Sequence, residues 1–160
     1  MTLRHVEWRD DRGQVGGIEA LPFGVLIFVV GALLITNAWG VIDAKFATDS
    51  AAREAARAFV ESDVSSSDVY ASATRAADDA GAAAITAHGR DRTRAVVEIV
   101  DLRPNGRYER CARVVVAVTY AVPAIHLPFI GGYGSAFDIR STHSEIVDPF
   151  RSGVPGEALC

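Results

Sequence analysis

Ser141, Thr142, His143, Ser144 and Glu145 put nucleophile types, a base and a carboxylate within five residues, the ingredients of acyl transfer. Along a strand, successive side chains face opposite ways, so this spacing assembles no triad, and no nucleophile elbow accompanies it. Metal binding needs several His, Cys or carboxylate groups brought together, yet His5, His88, His126 and His143 stand apart and the two cysteines lack ligand spacing. Gly16-Gly17 and Gly131-Gly132 lack the Lys-Ser/Thr of a phosphate loop. The expectation is a chain with no enzymatic activity, no metal and no cofactor. Cys111 and Cys160 allow at most one bridge; a disulfide stapling the C-terminal tail across a hairpin and two independent thiols are both open.

Glu19 is the remaining residue with unusual chemistry. It opens an uncharged run, Ala20 to Ile42, that follows Arg12-Gly13-Gln14-Val15-Gly16-Gly17-Ile18. As a helix, such a run reaches about 34 Å, enough to cross a bilayer's hydrocarbon layer with some tilt. Leu26 to Val30 and Leu33 to Ile35 are too uniformly apolar for a surface helix, while Thr36, Asn37 and Trp39 mark the far interface. A carboxylate at the edge of a span either sits in hydrated headgroups or pairs with a cation. A secretory signal peptide fits less well, because the run is long and passes into Val41-Ile42-Asp43-Ala44-Lys45 without a small-x-small cleavage site.

Four regions follow: an arm and leader at 1–19, a transmembrane helix at 20–42, an extracytoplasmic α+β domain at 43–148, and an extended, mobile tail at 149–160. Arg4, Arg9 and Arg12 on one side of the span are matched by Lys45, Arg53 and Arg57 on the other, so positive charge does not orient it. Long domains translocate largely regardless of charge, which favours a C-terminal domain outside the cell.

Beyond the span the helix is expected to continue through Glu61, since Ala44–Glu61 lacks Gly and Pro. Asp49–Arg53 and Arg57–Glu61 have ion-pair spacing, and Ala47, Ala51, Ala55 and Phe59 form an apolar row suited to close packing. Ser65 with Asp68 reads as a capping box opening a second helix to about Ala87, striped by Tyr70, Ala73, Ala77, Ala80 and Ala84, which Gly81 ends or weakens. After Thr93 the period becomes two. Two β-branched runs flank Asn105-Gly106, the signal of a tight hairpin, which sets Asp101 opposite Arg110 and Glu98 opposite Arg113. Val97, Ile99, Val114, Val116, Val118 and Tyr120 then share the core face. An apolar loop follows Pro123, and Phe137–Val147 completes a three-stranded antiparallel sheet.

With 160 residues and an anchor taking the first third, there is room for one small domain. Sixteen Lys and Arg against twenty Asp and Glu, a net charge of −4, leave no basic surplus for phosphate, so nucleic acid is not an expected partner.

The pattern resembles a family. An Arg-Gly pair, small residues, a Glu at the membrane edge, a long apolar helix and Asp49-Ser50-Ala51-Ala52-Arg53-Glu54-Ala55-Ala56-Arg57-Ala58 look like the TadE-like proteins, pilin-related minor subunits of the Tad (Flp) pilus system, especially those of actinobacteria. Tyr120-Ala121-Val122-Pro123 and Val147-Asp148-Pro149-Phe150-Arg151-Ser152-Gly153 are similar as well. The resemblance implies a single-pass cell-membrane protein with a cytoplasmic N-terminus, partnered by other pilus or secretion subunits and by a prepilin peptidase. In that family the peptidase can cut after a glycine followed by four residues and a glutamate. Here Gly13 is followed by five residues before Glu19, and Gln14 occupies the position before the cut. Both a processed chain and a permanent anchor stay open. The rival readings are an envelope scaffold or binding protein with no pilus role and, third, a membrane-tethered hydrolase.

Overall fold

The computed structural model describes residues 15–127, 130–157 and 160, with side chains from residue 20 onward. It divides into two compact units, Met1–Ala38 and Trp39–Cys160. One helix, α1 (Val15–Val60), contributes to both. In the first unit its apolar side chains are uncovered, with Phe28 75% exposed. The hydroxyl of Thr36 and the amide of Asn37 donate back to the carbonyls of Ala32 and Leu33, each at 2.8 Å, so these polar groups are satisfied within the helix itself.

The second unit is α+β. The later part of α1 and a second helix, α2 (Val69–Ala87), pack on one face of a three-stranded antiparallel sheet of β1 (Ala95–Arg103), β2 (Arg113–Val122) and β5 (Phe137–Ile146), with β2 central. Two short strands, β3 (Ile125–Leu127) and β4 (Gly131–Tyr133), form a separate ribbon where the sequence suggested only a loop.

The alanine row of α1 packs on its own domain. Ala44, Ala47, Ala51, Ala55 and Phe59 are fully buried, joined by Ala52 and Ala56. Small side chains bring the helix axis close to the sheet, and the valines of β2 fill the space between. α2 comes closer still at Gly81, where an added Cβ would stand 2.8 Å from a methyl of Val97 and 3.5 Å from Ala55. Gly81 therefore does not end the helix; it admits the sheet. The fully buried positions of α2 are Ala73, Ala77, Gly81 and Ile85, with Ala84 partly buried and packed beside them.

The expected core face holds: Val114, Val116, Val118 and Tyr120 are buried, with Val97 and Ile99 packed beside them. The hairpin register does not. Arg103 pairs with Arg113 and Leu102 with Val114, and after an irregularity between Ile99 and Asp101, Glu98 lies opposite Ala117. The connection is the long segment 104–112, because Tyr108 and Ala112 turn into the core and Arg110 N–H bonds the Pro155 carbonyl at 2.8 Å. Those contacts outweigh the local preference of Asn105-Gly106 for a two-residue turn. Glu98 finds its cation two strands away, in Arg140 at 3.3 Å.

Three further expectations are corrected. Asp68 alone caps α2, accepting from Ala71 N–H at 3.0 Å, while Ser65 bonds Asp63 in its own turn. Lys45, not Arg53, is the partner bonded to Asp49, at 3.1 Å; Arg57–Glu61 forms at 3.0 Å. The tail, read as free, is docked: Val154 is 4% exposed within the core, and Cys111 N–H and Ala112 carbonyl bond Val147, prolonging the β2–β5 ladder.

Candidate functional site

Gly13 and Gln14, the residues of the leader, lie outside the described residues, as does the side chain of Glu19; the helix begins at Val15. The chemistry within reach is that of the second unit.

Ser141, His143 and Glu145 alternate along β5 and share one face of it. His143 Nε2 and Glu145 Oε1 are 3.2 Å apart. Ser141 is engaged elsewhere: its Oγ accepts from Lys45 Nζ at 2.6 Å. A serine beside a lysine can form a nucleophile–base pair when the amine is neutral and substrate can reach the hydroxyl. The second condition is not met. Lys45 Nζ also faces Asp49 Oδ1 and the Arg140 carbonyl, both at 3.1 Å, so three acceptors match the three N–H groups of an ammonium. Ser141 is only 4% exposed. The group is a polar tie between α1 and β5. The Ser141 hydroxyl, followed by Lys45 and Arg53, holds the Asp49 carboxyl below its ordinary value against a smaller opposing effect of burial.

Two arginines clasp the ends of this part of α1. Arg90, from the turn after α2, donates to Asp43 Oδ2 at 2.6 Å and to the Gly40 carbonyl at 2.9 Å, and its guanidinium stands over the Tyr120 ring. At the other end Arg151, from the tail, donates to the carbonyls of Val60 and Ser62 and to Tyr108 Oη, which itself donates to Val60. A cation at a helix C-terminus meets orphan carbonyls and the negative end of the helix dipole. Arg151 was legible in the sequence only as a tail residue. Its role depends on Val154 and on the tail's attachment, contacts too remote in sequence to be read from spacing.

Cys111 and Cys160 are joined by a disulfide, with Cα atoms 5.3 Å apart. Cys111 adopts a left-handed backbone (φ 64°), held by its N–H bond to Val147. Among the described residues no three His, Cys, Asp or Glu side chains gather as a metal site. A shallow groove, open to solvent, runs past Asp101, Arg113, Val115, Thr142, His143 and Ser144.

The apolar stretch of α1 is long and apolar enough to cross a membrane, and it is not buried within the structure. Set against protein-family models, curated proteins and solved structures, the chain matches none.

Proposed function

We propose that the chain is a single-pass, membrane-anchored assembly subunit of the TadE-like kind, with its α+β domain outside the cell, acting through contacts and not through catalysis. One observation carries the reading: a single helix is apolar and uncovered in its first unit and buried against its own sheet in the second. That division suits lipid or neighbouring helices around the first part and a water-soluble domain on the second. The Cys111–Cys160 bridge supports the outward placement, because disulfides persist in oxidising compartments. With the alanine face occupied inside the domain, the surfaces left for other pilus or secretion subunits are the apolar stretch and the outer face of the domain.

Glu19, at the edge of the span, is the residue that joins neighbouring helices in this account, by meeting a cation of the adjacent subunit. Losing one member of a buried pair costs about 3–5 kcal/mol, whereas a hydrated headgroup contact is worth far less. Glu19→Gln therefore leaves membrane insertion intact and weakens partner capture. The check is crosslinking and co-purification of wild type and Glu19→Gln at matched membrane abundance. Equal recovery of pilus components from both sinks the pairing role of Glu19. If wild type recovers no pilus component at all, the pilus assignment itself fails.

A further inference from the structure

Asn105-Gly106 does not serve as the two-residue turn of a hairpin, since β1 ends at Arg103 and β2 begins at Arg113. The pair has a chemistry of its own. A glycine leaves its backbone nitrogen unshielded, so that nitrogen can attack the side-chain carbonyl carbon of a preceding asparagine and close a five-membered ring. The N–Cγ bond forms, the Cγ–Nδ2 bond breaks, the glycine's amide proton leaves with the side-chain nitrogen as ammonia, and a succinimide results. Water then adds to either ring carbonyl, leaving aspartate or, with the main chain rerouted through Cγ, isoaspartate. This reaction places asparagine among the thermolabile residues.

In this chain the pair is wetted but its reacting groups are engaged. Asn105 and Gly106 are both exposed to solvent. The Gly106 nitrogen donates to the Leu102 carbonyl at 2.8 Å, so the nucleophile is held as an N–H donor, with its backbone in the left-handed region at φ 69°. The leaving group is tied as well: Asn105 Nδ2 donates to Glu109 Oε1 at 3.0 Å. Both bonds belong to the closed shape of segment 104–112, and distant contacts hold that shape. Tyr108 is buried and its hydroxyl donates to the Val60 carbonyl at 2.8 Å. Arg110 N–H bonds the Pro155 carbonyl, and Cys111 is bridged to Cys160.

We infer that Asn105 is a modification site gated by the fold: the closed 104–112 connection suppresses succinimide formation, and each local opening exposes Asn105 to conversion into aspartate or isoaspartate. The change runs one way, because the ammonia is lost to solvent. A carboxylate at position 105 faces Glu109 where a hydrogen bond was donated, so attraction becomes like-charge repulsion. Isoaspartate also lengthens the main chain inside the turn that Gly106 closes on Leu102. A modified chain therefore holds Tyr108, Cys111 and the tail less firmly. The inference is independent of the membrane and pilus reading.

The test follows the full chain in detergent at neutral pH and constant temperature, reading the conversion of residue 105 to aspartate and isoaspartate by mass spectrometry of the peptide that carries it. Asn37, the other asparagine of the sequence, lies within α1 before Ala38 and is the internal reference. When opening and closing are fast relative to the reaction, the rate follows the population of the open form. Native wild type is expected to convert about tenfold or more slowly than the same chain unfolded in guanidinium chloride. Cys160→Ser, which frees the tail, is expected to convert several-fold faster than native wild type. Tyr108→Phe, which loses the hydroxyl bonds to Val60 and Arg151 and keeps the ring, is expected to fall between them, and it decides the point if Cys160→Ser does not fold. No conversion in the unfolded chain overturns the site, and equal rates in native and unfolded wild type overturn the protection. Folded variants that convert no faster than native wild type overturn the gating by the core and the bridge.

Discussion

At the residue scale, several polar side chains among the described residues tie one element to another. Lys45, Asp49 and Ser141 close a three-way polar contact between α1 and β5, and Asp49 carries its pH dependence. A carboxyl whose folded value lies below its unfolded value of 3.8 adds stability that is complete above that value. The contribution disappears as pH falls through the lower, folded value. Asp49→Asn is therefore expected to lower stability at neutral pH by about 0.5–1 kcal/mol, the scale of a half-exposed pair, and the gap to wild type to narrow only as pH falls below 3.8 toward the lower, folded value. Urea unfolding from pH 7 down to pH 3 checks it; a constant gap between the two proteins contradicts the tie. The ingredients at Ser141, His143 and Glu145 were legible, but what they touch was not, since Lys45 reaches Ser141 across 96 positions of the chain.

At the element scale, amphipathic pattern and cap chemistry carried far. The second helix, the core face of β2 and the third strand follow from alternation and from Asp68, all local properties. The β1–β2 register failed because it depends on where Tyr108 and Ala112 go, and those residues answer to the core and the tail rather than to Asn105-Gly106. Gly81 was misjudged for the same reason: helix propensity marks it as a weak point, whereas its neighbour on β1 makes it necessary. Gly81→Val is expected to destabilise the domain by about 2–3 kcal/mol through overpacking against Val97, despite a better helix propensity. Thermal unfolding of the two proteins reads the difference, and an unchanged or raised Tm contradicts the close approach.

At the scale of the whole molecule, the fold is closed from its far end. The tail seats Val154 in the core, caps α1 with Arg151 and is joined to the 104–112 connection by Cys111–Cys160. A bridge across a separation of 49 residues removes about 4 kcal/mol of denatured-state entropy in the chain model. Cys160→Ser is therefore expected to lower Tm markedly, and wild type to gain mobility on non-reducing gels relative to reducing ones; equal mobility with two free thiols contradicts the bridge. The same bridge explains why the tail is docked although its Pro149, Gly153, Pro155 and Gly156 suggest an open segment.

The central claim is an anchored chain whose domain lies outside the cell, and one labelling experiment addresses both halves of it. Phe150 is 82% exposed, so Phe150→Cys offers an accessible thiol. In intact cells a membrane-impermeant maleimide is expected to label Phe150→Cys fully, and the labelled protein is expected to stay in the membrane pellet after an alkaline carbonate wash. Labelling that appears only after lysis, or release of the protein by carbonate, contradicts the account.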